Sequence, residues 1–159
     1  MSEVVRNFGT SKDRRAILAG LLEYRQELYS LSVLSGFQWL DGSFMENIEV
    51  LDNRSPNDVD VVTFFSLPAG VTQADLFSQA HHLFHVKTSK ARFRVDGYPM
   101  ILSQAMEEYN VHMVAYWYSM WSHTRKSRWK GFVRVNLDQT DDIVAHDLLK
   151  SMADKEVEQ

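Results

Sequence analysis

Residues 39–65 read WLDGSFMENIEVLDNRSPNDVDVVTFF, and this stretch decides the fold. The short aromatic segment 37–40 predicts a strand, and Asp41-Gly42-Ser43 has the composition of a turn. A short helix is expected over residues 44–50, followed by a polar loop. The β-branched and aromatic run at 59–65 then predicts a second strand. The stretch is therefore typical of two strands joined by a turn and a short helix.

A pair of carboxylates opens the second strand of this stretch. Residues two apart on a strand point to the same face, so Asp58 and Asp60 are expected to project side by side. Two carboxylates this close raise each other's pKa unless a cation lies between them. Hard oxygen ligands at this spacing suit Mg²⁺ or Mn²⁺, with triphosphate oxygens completing the shell. The pair therefore predicts a divalent-metal site.

Gly42 and Ser43 have the chemistry of a phosphate contact. Gly42 lacks a Cβ, so its backbone can approach a phosphate closely. Ser43 is expected to open a helix, where free N–H groups and the helix dipole favour an anion. Asp41 either orients this turn or caps the helix, and the cap is favoured. A phosphate-binding turn facing two acids is the minimum that metal-assisted nucleotidyl transfer requires.

Simpler interpretations of these motifs exist. Gly-Ser is a common dipeptide, and Asp-x-Asp is common in turns and on solvated strand faces. Their order along the chain favours function over either motif alone. An acid inside so apolar a run also requires a partner, because an unpaired buried carboxylate is costly.

Helical and strand patterns extend on both sides of the central stretch. Apolar residues at spacings of three and four predict an amphipathic helix that Ser11 caps and that ends near Leu34. Pro99 cannot donate to a β-ladder, which places its strand at a sheet edge or ends it there. The remaining elements are helices over 72–84, 103–122 and 140–152, and strands over 93–102 and 131–137.

This order of elements predicts an α+β fold, with a small mixed β-sheet flanked by helices in one domain. Residues 1–10 are expected to form an N-terminal arm. The domain proper is assigned to residues 11–152, and residues 153–159 to a frayed tail. The length of 159 residues suits one domain of this kind.

The amino-acid composition excludes several classes of site and of protein. The chain has no cysteine, which excludes disulfides, thiolate metal sites and cysteine nucleophiles. Its N-terminus lacks an apolar signal-peptide core and no apolar run reaches membrane-spanning length, so a cytoplasmic protein with no membrane contact is expected. The net charge of −4 argues against a protein that mainly coats nucleic acid, although basic residues cluster locally.

The central motif resembles the signature of the polymerase-beta-type nucleotidyltransferase superfamily, which has Gly-Ser, a spacer, and then Asp-apolar-Asp. The whole chain also resembles a family of small prokaryotic single-domain proteins known only as nucleotidyltransferase-like. The pieces that carry this second resemblance are the helix before WLDGSF, then PNDVDVV, KARFRVDGYPM, YWYSMW and WKGFVRV. The resemblance implies a minimal nucleotidyltransferase fold.

The superfamily also implies a third carboxylate on a later strand of the same sheet, and Asp96 is the best match. Its implied role is to bind the catalytic metal and to help deprotonate the acceptor hydroxyl. Asp96-Gly97 is also a common turn dipeptide, and the spacer of 14 residues between Ser43 and Asp58 is slightly long for the superfamily.

Two further groups of residues are candidates for contacts with the nucleotide. Four basic residues are expected to bind phosphates beyond the metals: Arg125, Lys126, Arg128 and Lys130. An aromatic band suits base stacking, although core packing is favoured at its helical spacing. The members of the band are Tyr116, Trp117, Tyr118, Trp121 and Trp129.

The sequence therefore predicts a Mg²⁺- or Mn²⁺-dependent enzyme that moves a nucleoside monophosphate from an NTP to a hydroxyl. The acceptor is left open between an RNA end such as that of tRNA, a protein and a small molecule. Analogy with small members of the superfamily suggests a toxin–antitoxin or phage-defence role, with a homodimer or a cognate partner protein. The alternative is a non-catalytic nucleotide-binding or antitoxin-like module of the same fold.

Overall fold

The computed structural model describes residues 1–102, 105 and 107–157. Eight α-helices are assigned within these residues: α1 (Ser2–Phe8), α2 (Lys12–Ser30), α3 (Ile48–Leu51), α4 (Gln73–Gln79), α5 (His81–Phe84), α6 (Val86–Phe93), α7 (Glu108–Trp121) and α8 (Gln139–Val157). The strands are β1 (Gly36–Asp41), β2 (Val59–Phe65), β3 (Val95–Ile101) and β4 (Val133–Asn136). A short 3₁₀ helix, Ser43–Met45, follows β1. None of the described helices combines the length and apolar character that a membrane crossing requires.

The four strands form one mixed sheet in the order β3-β2-β1-β4. Strand β1 is antiparallel to both β2 and β4, whereas β2 and β3 are parallel. The sheet and its helices confirm the predicted α+β class. Strand β3 lies at the edge of the sheet and continues through Pro99, which agrees with the edge position expected from that proline.

Local capping rules account for several helix starts. Ser11 caps α2, and its side chain accepts a hydrogen bond from the backbone N–H of Arg14. Thr72 caps α4 in the same way by accepting from Asp75. Helix α2 ends at Ser30, four residues before the expected end.

The prediction of an arm and a frayed tail was wrong at both ends of the chain. Residues 2–8 form α1, which packs against α8 and buries Val4 and Val5. Helix α8 continues to Val157 rather than ending near residue 152. Each helix covers the other, and this tertiary contact supports helices whose own sequence patterns are weak. Residues 158 and 159 of the expected tail lie outside the described residues.

The region between β2 and β3 contains more helix than expected. Helix α6 occupies residues 86–93, and Arg94 ends it in the left-handed conformation. The strand expected from residue 93 therefore begins at Val95. Helix α7 is described from Glu108, and part of the helix expected over residues 103–122 lies outside the described residues, at 103, 104 and 106.

The two faces of the sheet are covered differently. The larger core lies on one face and contains Leu40, Val61 and Val95 together with the apolar side of α2. The other face is aromatic, and Trp117 and Trp121 of α7 pack there. The core-packing interpretation of the aromatic band therefore holds for these two tryptophans, but Tyr116, Tyr118 and Trp129 are exposed.

Candidate metal and nucleotide site

Three aspartates form a row across three neighbouring strands. Asp60 of β2 is in register with Asp41 of β1 on one side and with Asp96 of β3 on the other. Adjacent strands lie about 4.8 Å apart, and residues in register project to the same face. Asp58 precedes Asp60 by two residues, just before β2 begins. The structure thus brings Asp58, Asp60 and Asp96 together and adds Asp41 to them; we call these four residues the acidic row.

The Gly42 turn lies directly against the acidic row. Gly42 has φ +83°, a conformation that favours glycine. A Cβ built on Gly42 would lie 2.1 Å from Asp60 Oδ2. Glycine is therefore needed at this position to make room for the carboxylate of Asp60, whatever else the turn binds.

The helix after Gly42 is shorter than expected. Ser43 begins a three-residue 3₁₀ helix, and α3 follows separately at Ile48. So short a helix has little dipole to offer an anion. Asp41 does not cap it, because Gly42 is the N-cap residue and no side-chain capping bond is formed. The favoured interpretation of Asp41 as a cap was therefore wrong.

Lys90 of α6 reaches one end of the acidic row. Its Nζ lies 2.7 Å from Asp58 Oδ2 and 3.7 Å from Asp96 Oδ2. The side chain of Lys90 is 47% exposed, whereas those of Asp58 and Asp96 are 15% and 14% exposed. One half-exposed ammonium is thus shared between two acids that are largely covered by protein.

Lys130 reaches the other end of the acidic row. Its Nζ lies 2.9 Å from Asp41 Oδ1 and 3.4 Å from Glu46 Oε1, and it donates to the carbonyl oxygen of Gly42 over 3.4 Å. The Lys130 side chain is 14% exposed and that of Asp41 only 3%. Lys130 was expected to bind phosphates, but here it neutralises a buried carboxylate and holds the turn.

Burial and neighbouring charges shift the pKa values of groups in and beside the acidic row. Burial, followed by the neighbouring charges of Asp96, Asp58 and Asp41, raises the pKa of Asp60 to about 6, and Lys90 acts in the opposite direction. Burial likewise raises the pKa of Asp41 to about 6, while Lys130 acts in the opposite direction. The pKa of the Tyr98 hydroxyl is also raised, first by burial and then by Asp96.

The donor set fits a hard divalent cation. Carboxylate oxygens are the ligands that Mg²⁺ and Mn²⁺ prefer, and the row holds more negative charge than its two lysines offset. Asp96 Oδ1 is buried and has no hydrogen-bond partner among the described residues. Within those residues, no three acids or histidines already converge as a metal's ligand set. The ammonium of Lys90 instead lies between Asp58 and Asp96.

The remaining basic candidates lie on the segment after α7. Lys126 is exposed and pairs with Asp52 over 3.0 Å. Arg125 and Arg128 are exposed as well. A short hairpin presents them, in which Thr124 N–H donates to Arg128 O and His123 bridges to Trp129. Because Lys130 ends the same segment, the hairpin is fixed beside the acidic row.

Sequence reasoning missed Asp41 and Lys90 as members of the site. For Asp41 a signal was present, since it is the last residue of a strand and adjoins the Gly-Ser turn. Lys90 is visible in the sequence only as one of several basic residues between positions 87 and 94, and the helix α6 that carries it was not predicted. Both residues join the site through the register and packing of segments far apart in sequence.

The chain belongs to a family of unknown function, DUF6932, whose family model matches residues 1–136. The matched range contains the four aspartates, the Gly42 turn and both lysines. No curated protein and no solved structure matches the chain.

Proposed function

We propose that the protein is a divalent-metal-dependent nucleotidyltransferase that moves a nucleoside monophosphate from an NTP to a hydroxyl acceptor. The observation that carries this proposal is the register of Asp60 with Asp96 across two parallel strands, with Asp58 two residues away. Three carboxylates on one face, beside a glycine turn, are the kind of ligand set that such a reaction needs.

Asp58 and Asp60 hold the metal ions in this proposal, and Asp96 contributes a further ligand. Bound Mg²⁺ or Mn²⁺ would supply charge neutralisation for the triphosphate and a lower pKa for the acceptor hydroxyl. The support from this chain is the buried Asp96 Oδ1, which lacks a hydrogen-bond partner among the described residues, and the burial and mutual repulsion that raise the pKa of Asp60.

The chain's own residues then position the reactants. The Gly42-Ser43 turn contacts the β- and γ-phosphates, and Arg125 and Arg128 extend the positive surface toward them. Asp96 accepts the proton of the acceptor hydroxyl while the oxygen of that hydroxyl bonds to the α-phosphorus. The bond between the α-phosphorus and the bridging oxygen breaks, and pyrophosphate leaves with that electron pair.

A second candidate function is a non-catalytic nucleotide-binding or antitoxin-like module. The ion pair of Lys90 with Asp58 favours it, because an ammonium of the protein itself then takes the place of the metals of an active enzyme. The two functions differ in what happens to bound NTP: the enzyme transfers part of it, and the module only binds it.

Label transfer distinguishes the two functions. The full chain is incubated with Mg²⁺ and each α-labelled NTP, with total tRNA and with cell lysate as sources of acceptor. Asp60→Asn is the test variant, and Asp154→Asn on the exposed surface of α8 is the matched control. Transfer by the wild type and the control that is lost in Asp60→Asn supports the enzyme. Tight NTP binding without transfer under any of these conditions supports the module.

A further inference from the structure

The two lysines at the ends of the acidic row differ in how firmly they are held. Lys130 has three oxygen partners, from Asp41, Glu46 and Gly42, and its side chain is 14% exposed. Lys90 has one short contact, to Asp58, and a looser one to Asp96, and its side chain is 47% exposed. A half-exposed lysine with only one short contact is held weakly, so Lys90 is the lysine that can leave.

Helix α6 fixes the backbone of Lys90 while leaving its side chain free to move. Ser89 and Phe93 of this helix are buried, and the helix packs on β3 and α2. The ring of Phe93 also packs edge-on against Tyr24 of α2. The packed helix therefore holds the backbone of Lys90 in place, and only a change of side-chain rotamer is needed for its ammonium to leave the acids.

The ammonium of Lys90 and a divalent cation require the same oxygens. Asp58 Oδ2 and Asp96 Oδ2 face the ammonium, and both acids belong to the proposed ligand set. Two cations compete for these oxygens, because like charges only a few ångströms apart repel each other. A divalent ion offers the oxygens twice the charge of the ammonium in a smaller volume.

We propose that Lys90 is an internal counter-ion of the acidic row that a divalent cation displaces from Asp58 and Asp96. The inference rests on the proposed metal-dependent function and adds a residue to it. Metal binding is then an exchange of one cation for another rather than the filling of a bare acidic site. Before the exchange, Lys90 offsets the repulsion among the acids, which keeps this end of the sheet stable without metal.

Mn²⁺ titration of the full chain tests the exchange. The unbound Mn²⁺ is followed by its electron paramagnetic resonance signal for wild type, Lys90→Met, Lys90→Arg and Lys150→Met. Methionine keeps the aliphatic volume of lysine and removes its charge. Arginine keeps the charge, and Lys150→Met removes an equal charge from the exposed surface of α8.

Lys90→Met is expected to lower the Kd for Mn²⁺ by about five- to tenfold, since the competing ion pair is lost. Lys90→Arg should stay near the wild-type Kd, and Lys150→Met should remain within about twofold of it. An unchanged Kd in Lys90→Met, or an equal gain in Lys150→Met, overturns the exchange and leaves the metal-dependent function standing. If neither wild type nor Lys90→Met binds Mn²⁺, the metal-dependent function itself fails and the exchange falls with it.

Thermal unfolding supplies a readout that does not depend on measuring affinity. In EDTA, Lys90→Met should unfold at a lower temperature than wild type, because the acids lose their counter-ion. Saturating Mn²⁺ should raise the Tm of Lys90→Met more than that of wild type, since at a given Mn²⁺ concentration the stabilisation of the folded state grows with the logarithm of the ratio of that concentration to Kd. Equal Mn²⁺-induced shifts in the two proteins would contradict the exchange. Lys90→Gln repeats both measurements with a second neutral side chain.

Discussion

Gly42 and Asp60 are fitted to each other across the antiparallel pair of β1 and β2. A Cβ on Gly42 would come within 2.1 Å of Asp60 Oδ2, and Gly42 has a φ of +83°. The turn expected to receive a phosphate is thus shaped first by one of the protein's own acids. Because the two residues contact each other, a change at the turn also displaces a proposed metal ligand.

Gly42→Ala is expected to destabilise the protein and to weaken the site. A non-glycine residue at positive φ costs about 1–3 kcal/mol, and the added methyl must also push Asp60 aside. Urea unfolding measures the first effect and Mn²⁺ affinity the second. Gly131→Ala is the control, because nothing lies within 4 Å of a Cβ at Gly131 and its φ is not in the positive region. Equal losses in both variants would contradict the fit of Gly42 to Asp60.

Asp60→Asn is expected to stabilise the metal-free protein at neutral pH while abolishing transfer. Folding raises the pKa of Asp60 from 3.8 to about 6, first through burial and then through Asp96 and Asp58. Ionising such a group costs folding energy, roughly 1–3 kcal/mol here. Asparagine keeps the shape and removes that cost. Greater stability with lost activity is typical of a functional site.

The pH dependence of this gain follows from the direction of the shift. Below about pH 4, Asp60 is protonated in the folded and unfolded states alike, and asparagine brings no advantage. Between about pH 4 and 6 the unfolded state loses the proton first, so the cost grows, and above pH 6 it is constant. Urea unfolding of wild type and variant in EDTA, from pH 4 to 8, measures it. A gain that is the same at every pH would contradict ionisation as the cause.

Lys130→Met is expected to destabilise the protein by about 3 kcal/mol, because it leaves the Asp41 carboxylate, 3% exposed, without its counter-charge. Lys126→Met is the matched control from the same segment. Its ion pair with Asp52 is exposed, so its loss should cost no more than about 1 kcal/mol. Adding Asp41→Asn to Lys130→Met should restore most of the lost stability. A double variant as unstable as the single one would show that Lys130 acts by another route.

Arg25→Met is expected to cost about 3–5 kcal/mol of stability without changing Mn²⁺ affinity. Arg25 is fully buried and donates to Asp142, Gln38 and the carbonyl oxygen of Asn136, which ties α2 to β1, β4 and α8. Urea unfolding and Mn²⁺ titration under native conditions separate the two effects. Arg6→Met on the exposed side of α1 is the control. A large loss of Mn²⁺ affinity in the folded Arg25 variant would contradict this separation.

Local signals in the sequence were sufficient for most of the fold. The β-branched run of β2, the cap at Ser11 and the turn at Gly42 each depend on neighbouring residues, and each element was expected where it lies. Helices α1 and α6 were missed because both are short and lack a sustained apolar period. Their stability comes from contacts with α8, α2 and β3, which no local pattern reports.

The residues of the site also differ in whether local sequence patterns or long-range contacts bring them together. Asp58 and Asp60 are paired by strand periodicity, and periodicity is visible in sequence. The alignment of Asp41 with Asp60 depends on the register of two strands, and the contact of Lys90 with Asp58 depends on how α6 packs. The charge of Lys130 is visible in the sequence, but its pairing with Asp41 depends on how distant segments pack. Long-range register and packing therefore decided the part of the site that sequence reasoning missed.

Strand β3 has a consequence for how molecules of this protein meet. Asp96 and Pro99 both lie on this strand, which forms one border of the sheet. A border strand is a template onto which a foreign strand can add, and such addition leads to aggregation. Pro99 brings no amide hydrogen and Asp96 brings charge, so this border is a poor template. Pro99 and Asp96 thus both disfavour aggregation through this border of the sheet.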